Sequence, residues 1–349
     1  MRYAAVLIAL LAFPLAAQTT TSSPDAPAIK IGGVLFADYT YTASVAPPAR
    51  DADGNEIHPS SFNVSRVYIN FTGSLNRYIS YRITPEIARE TSSSSSLSGS
   101  QTFRIKFAWA QLNLDQWLTK GSWVRAGINQ TPWLDFAESI YRYRFQGTTF
   151  VDREGFLFPS DAGVTFHYNF PQDYGDLQAG IYNGEGWAHS EVNDQKAKQI
   201  RATLRPMPSS TVLRGLRISG FYDADHYAAG LPRNRTLGQV AYEHPLVIAA
   251  IEVLSTTDRP SSTATETKTH GSSVWANPKF GHGWEALLRR DTLHTDAAGT
   301  KTRDIEGIAY WLPVQAGVSS AVMLDRDATR GPASGTHLTN YGIKLLLSF

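Results

Sequence analysis

His337-Leu338-Thr339-Asn340-Tyr341-Gly342-Ile343-Lys344-Leu345-Leu346-Leu347-Ser348-Phe349 closes the chain, and its alternation decides the fold. Successive side chains of a β-strand point to opposite faces. Tyr341, Ile343, Leu345, Leu347 and Phe349 therefore share one face. The same period of two recurs back to Ile29. Val67, Ile69 and Phe71 alternate with Arg66, Tyr68 and Asn70, and Ile79, Tyr81 and Ile83 with Ser80, Arg82 and Thr84. Val124, Ala126 and Ile128 oppose Arg125, Gly127 and Asn129, and Ile200, Ala202 and Leu204 oppose Arg201, Thr203 and Arg205. No helical stripe of useful length interrupts this pattern.

The pattern places strands at 29–43, 62–72, 79–87, 103–114, 123–131, 162–168, 177–183, 198–205, 213–222, 235–242, 246–256, 271–275, 284–291, 303–310, 316–325 and 338–349. The gaps between them alternate. Long polar gaps are expected at 44–61, 88–102, 132–161, 184–197, 223–234, 257–270, 292–302 and 326–337, and short ones at 73–78, 115–122, 169–176, 206–212, 243–245, 276–283 and 311–315. A soluble sandwich has no reason to keep its long connections at one end. A transmembrane barrel does, with long extracellular loops and short periplasmic turns. Most segments also approach the roughly 9–11 tilted residues that cross the hydrocarbon. A sheet in lipid must close, because an open edge strands polar backbone groups in hydrocarbon. The fold expected is thus all-β, a transmembrane antiparallel β-barrel of about 16 strands, wide enough for an aqueous channel.

The start of the chain suits that compartment. Arg2, the apolar run Ala4 to Leu15 and the small pair Ala16-Ala17 read as a signal peptide over 1–17. Residues 18–28 read as a flexible leader and 29–349 as one barrel domain, placed in the bacterial outer membrane. The sequence has no cysteine, which excludes a disulfide framework and Cys-based metal or redox sites. A net charge of +1 argues against nucleic-acid binding. No later segment reaches the roughly 18 apolar residues of a spanning helix. The 16 Tyr, 16 Phe and 8 Trp suit a wall with aromatic girdles.

The final strand, ending on Phe349, resembles the C-terminal signal of bacterial outer-membrane proteins, which the barrel-assembly machinery reads. Other stretches resemble the phosphate-selective porin O and P family. Phe62 to Pro85 is similar to its early hairpin, and Arg125-Ala126-Gly127-Ile128-Asn129-Gln130-Thr131-Pro132-Trp133 to its strand entering a long third loop. Phe150-Val151-Asp152-Arg153-Glu154 and Asp161-Ala162-Gly163-Val164 resemble that loop's exit. Gly180-Ile181-Tyr182-Asn183-Gly184-Glu185-Gly186, followed by Asp194 and Ile200 to Pro206, is similar to the family's Asn-Gly loop start and next strand, and Trp284 to Asp291 resembles a late strand. The resemblance implies a porin, as a homotrimer, passing small solutes. Lysine is sparse, which departs from the dense cation set of members that take up phosphate, so phosphate selectivity stays open.

The gap 132–161 is the longest. Such a loop in a porin of this size commonly folds into the lumen. Arg142, Arg144, Asp152, Arg153 and Glu154 are the candidate constriction; a packed plug is the alternative. Strand parity puts Arg66, Arg82, Arg104, Lys106 and Arg125 on the lumen wall leading to it. Glu243, Glu252, Glu285, Asp304, Glu306 and Asp325 are expected on the lumen face of later strands, because a charge facing lipid costs roughly 2–4 kcal/mol at midplane. No catalytic motif is present, and no cofactor or metal is expected. The expected partners are the bilayer, the assembly machinery and small solutes, anions among them. The expected function is passive diffusion with weak anion preference. The alternatives are a channel specific for phosphate or a small carboxylate, and a plugged structural or enzymatic barrel.

Overall fold

The computed structural model describes residues 29–333 and 335–349, so the signal peptide and leader expected over 1–28 lie outside the described residues. The chain runs β1 (Ile29–Ala46), β2 (Ser60–Ser74), β3 (Ile79–Arg89), β4 (Gln101–Asn113), β5 (Trp123–Gln130), α1 (Pro132–Ile140), α2 (Phe150–Arg153), β6 (Ser160–Asn169), β7 (Gly175–Tyr182), β8 (Ala197–Leu204), β9 (Leu216–Ala224), β10 (His226–Ala228), β11 (Leu231–His244), β12 (Val247–Asp258), β13 (Thr267–Gly281), β14 (Trp284–Thr295), β15 (Gly299–Trp311), β16 (Ser319–Arg330) and β17 (His337–Ser348). Each of the sixteen longer strands coincides with a segment expected from the alternation. The three-residue β10 pairs only with the start of β11.

Every neighbouring pair is antiparallel, and β1 bonds to both β2 and β17. Leu35 faces Val67 on one side and Leu347 on the other. The sheet therefore has no free edge, which is the condition for crossing lipid with strands. Alternation sets the faces. On β8, Arg201 and Thr203 are buried inside while Ile200 and Leu204 are exposed outside.

Two expectations change. The alternation of gap lengths holds over the first half, where the connections 47–59, 90–100 and 131–159 are longer than 75–78, 114–122 and 170–174, though 114–122 falls only two residues short of 90–100. It fades later. β14 and β15 keep pairing up to Thr295 and Gly299, so the expected long gap 292–302 is a tight turn over 296–298. At the opposite end the connection 205–215 is longer than expected. The second change concerns parity. Ile305 and Ala309 are fully buried and face inward, so Asp304 and Glu306 face outward rather than into the lumen.

A bulge shapes the wall near the lumen's open space. Thr84 pairs with Phe107 and Pro85 with Ile105, leaving Lys106 as the extra residue. Proline has no N–H for the ladder and is tolerated at such bulges. Lys106 and Phe107 are consequently both buried on the inner side.

Candidate functional site

The segment 131–159 folds into the barrel. Thr131 is extended at the N-terminal boundary of α1 and Pro132 occupies its first turn, where the ring's fixed φ and missing N–H do no harm. Trp133, Leu134, Phe136, Ala137 and Ile140 form the buried stripe of α1, while Asp135, Glu138 and Ser139 turn to open space. The apolar stripe and the following Tyr141, Tyr143 and Phe145 pack on inward apolar residues of the far wall, among them Ile248, Trp275, Leu287, Ile305 and Met323. Trp133 meets Phe221 at 5.7 Å, Tyr141 meets Trp275 edge-on at 5.2 Å and Tyr143 meets Trp311 at 5.9 Å. Phe150 fills space above Gly271, where even a Cβ would lie 2.6 Å from the ring.

Polar ties fasten the same side. Glu285 accepts from Arg142 (2.9 Å) and the Tyr143 hydroxyl (3.1 Å). Gln146 donates to Asp325 and Asp327, each at 3.1 Å. Arg153 lies 3.6 Å from Asp291, and Lys301 reaches Glu154 at 2.8 Å. Arg289 chelates Asp291 (2.8 and 2.7 Å) and donates to the Thr148 carbonyl at 3.0 Å.

Because the loop is tied to the later strands, open space remains on the other side, against the inner wall of β1–β5. This cavity is about 480 Å³. Arg82 and Lys106 line it from the wall, and Asp135, Glu138, Arg142 and Arg144 from the loop. Lys106 donates to Tyr68 at 2.8 Å and lies 3.8 Å from Glu86, which Arg66 also engages at 2.8 Å. Arg144 bonds Glu138 at 3.1 Å. Arg142 lies over the Trp311 ring at 4.0 Å. Arg82 lies 4.4 Å over Phe107 and donates to Asn70 and Thr84 at 2.8 Å. Among the described residues it has no carboxylate at ion-pair distance. Burial holds the Asp135 carboxyl above its usual range, against the pull of Arg125 and Arg201.

The residues expected from the sequence thus divide. Arg142, Arg144, Arg82 and Lys106 meet in the cavity. Arg66 stands behind Lys106 through their shared Glu86. Asp152 is half-buried, and burial, reinforced by Glu138, keeps its carboxyl above the usual range. Arg153 and Glu154 are fasteners rather than lining. Arg104 pairs with Glu90 outside the cavity lining. Arg125 is sandwiched over Trp109 (4.3 Å) and Trp123 (3.8 Å) and donates to Gln111 at 2.7 Å. Phe349 exchanges backbone hydrogen bonds with Gly33 of β1 and leaves its ring exposed. Sequence reasoning missed α1 and the lining roles of Tyr68, Asp135, Glu138 and Trp311. The Thr131-Pro132 pair was the available signal for the helix start.

The profile of the phosphate-selective porin O and P family matches residues 48–224, half of the chain. The chain belongs to that family. This porin is an outer-membrane β-barrel and a passive diffusion channel, and the early hairpin and loop-entry motifs that suggested the family lie within the matched stretch. No curated protein matches it. Among solved structures it resembles the outer membrane channel DcaP of Acinetobacter baumannii, with 12% identity over 94% of this chain and 99% of the other, and TM-score 0.60. It also resembles an anion-selective porin from Comamonas acidovorans, with 12% identity, 92% and 99% coverage and TM-score 0.60. OmpT of Vibrio cholerae in its trimer form matches with 10% identity, 93% and 100% coverage and TM-score 0.56. At such identities the likeness is one of fold.

Proposed function

We propose that the cavity between the inward loop and the β1–β5 wall is the constriction of this porin, and that it gives a weak preference for small anions. The observation that carries this reading is the charge of the lining: Arg82, Lys106, Arg142 and Arg144 against Asp135 and Glu138. Pore selectivity follows rings of charged side chains. The preference is weak because Arg144 is held by Glu138 and Arg142 by Glu285, which leaves Arg82 as the cation least compensated by a carboxylate. The Comamonas acidovorans neighbour is itself described as anion-selective. The working unit in this reading is a homotrimer, the form in which the Vibrio cholerae neighbour is described.

Reversal potentials of purified protein in a planar bilayer under a potassium chloride gradient test the reading. A modest excess of chloride permeability is expected, and cation selectivity would overturn it. Phosphate or a small carboxylate that blocks the current saturably at low concentration would instead indicate a substrate-specific channel.

Acidification adds a second test. Asp135 and Asp152 both have carboxyls raised by burial. A raised carboxyl takes up its proton at a pH above the usual carboxylate range, losing negative charge while the arginines keep theirs. Chloride preference is therefore expected to grow with acidification at a pH above the ordinary carboxylate range, before surface carboxylates titrate. A preference that stays flat until the ordinary carboxylate range would remove these two groups from the explanation.

A further inference from the structure

One side of the cavity beneath the inward loop is apolar. Phe36 on β1 and Leu346 on β17 are register partners, and both line the cavity. Their inward direction follows from the alternation. Leu35 and Leu347 point outward between them, and Asp38 and Lys344, next on the same inner face, lie 3.6 Å apart. Val34 and Trp311 extend the apolar surface, and Tyr68 and Phe107 add rings from β2 and β4. The interior of a transmembrane barrel is ordinarily polar. Inward apolar side chains of the far wall, such as Ile305 and Met323, are sealed under the loop. The six named here border open space instead.

The cations of the cavity stand against these rings. Arg82 lies 4.4 Å over Phe107 and Arg142 lies 4.0 Å over Trp311. A guanidinium stacked on a ring keeps its N–H groups in its own plane, where they can still meet a partner. Arg82 commits Nε to Thr84 and Nη2 to Asn70, and Arg142 commits Nη1 to Glu285. Among the described residues, Nη1 of Arg82 and both Nε and Nη2 of Arg142 have no protein acceptor. Nε and Nη2 together form the side-on fork that a carboxylate matches with two parallel bonds. Free donors and an apolar surface thus lie side by side.

We propose that the cavity favours small carboxylates with an aromatic body, the carboxylate on the free edges of Arg142 and Arg82 and the ring against Phe36, Leu346 and Trp311. The inference rests on the constriction reading above and names the solute class that the constriction prefers. Such a solute gathers its charge at one end, so its other end gains by leaving water for the apolar side. Phosphate carries oxygens all round, and those turned towards Phe36 and Leu346 would lose water without a replacement hydrogen bond. Acetate suits the arginines but has little apolar surface to bury. The volume of about 480 Å³ falls in the range of roughly 300–1,000 Å³ found for small-molecule sites. An excess of cations over carboxylates in the lining selects against an amine of the same shape.

The test titrates sodium benzoate, acetate, phosphate, benzyl alcohol and benzylammonium into wild-type protein carrying a chloride current in a planar bilayer at neutral pH. Benzoate is expected to reduce the current with half-block in the millimolar range, a hold weak enough for a diffusion channel. That concentration is expected to lie at least about tenfold below those for acetate and phosphate, the low end of what burying a phenyl ring is worth. Benzyl alcohol and benzylammonium, which lack the carboxylate, are expected to block less than benzoate. Leu346→Asn puts an amide on the apolar side and is expected to narrow the benzoate-to-acetate ratio to about threefold or less. A channel that prefers chloride yet is blocked no better by benzoate than by acetate overturns the solute class alone. Benzyl alcohol as effective as benzoate does the same, because the charge then plays no part. Cation selectivity with stronger block by benzylammonium overturns this proposal and the constriction reading together. Should Leu346→Asn fail to fold, the series on the wild-type protein decides.

Discussion

Asp291→Ala is expected to release the inward loop and leave the barrel wall standing. Asp291 is the carboxylate that Arg289 chelates through two bonds and that Arg153 approaches at 3.6 Å. All three side chains are nearly or fully buried, at 3%, 1% and 9% exposure. Removing the anion leaves two guanidiniums facing each other between loop and wall, and a buried charge deprived of its partner costs about 3–5 kcal/mol. The wall is held by main-chain ladders that this substitution does not touch, so the cost falls on docking of the loop. Trypsin should then cut at Arg142, Arg144 or Arg153, which are protected when docked. Single-channel records should show a larger mean conductance with added noise. Arg153→Met should act more mildly, because it leaves the Arg289–Asp291 chelate intact. Quiet channels of wild-type conductance that also resist trypsin would show that the loop is held elsewhere, by the Glu285 and Asp325–Asp327 ties alone.

The wall was legible because lipid on one side and water on the other force a period of two that a sequence displays directly. Lys198 to Leu204 separates into Arg201 and Thr203 inside and Ile200, Ala202 and Leu204 outside without any tertiary information. The long loop was legible as a gap, and its arginines as candidates. Which of them face water was not, because that depends on a packing partner across the lumen. Arg153 and Arg142 look alike in sequence, yet one meets Asp291 behind the loop and the other lines the cavity. Parity failed where both faces are polar. In Arg303-Asp304-Ile305-Glu306 charges flank the single apolar residue, and the assumption that charges avoid the outer face chose the wrong side. The helix α1 escaped notice because its nine residues are too few for a periodicity to stand out.

Removing Arg82 and Arg142 together, as Arg82→Gln with Arg142→Gln, is expected to abolish the chloride preference. Four cations and two carboxylates line the cavity, so the loss of two cations brings the lining to neutrality. A unit charge about 6 Å from a passing ion contributes roughly 1–3 kcal/mol between the dielectric of water and that of a protein surface. The charge favours chloride and disfavours potassium alike, but the wet lumen and the neighbouring carboxylates screen most of it, so each substitution should change the chloride-to-potassium permeability ratio by about twofold at low salt. Arg82 should dominate. It makes no ion pair among the described residues, whereas Arg142 already leans on Glu285 at 2.9 Å. Adding Lys106→Met should carry the channel past neutrality into cation preference, and Asp135→Asn with Glu138→Gln should move the wild type the other way. The effect must shrink in molar salt, where the screening length falls to about 3 Å. A change of pore width would persist there instead. Arg104→Gln supplies the contrast: it removes an arginine from the same wall, outside the cavity lining and paired with Glu90. If Arg104→Gln shifts the reversal potential as far as Arg82→Gln does, the net charge of the whole lumen governs selectivity and the cavity beneath the loop has no special part in it.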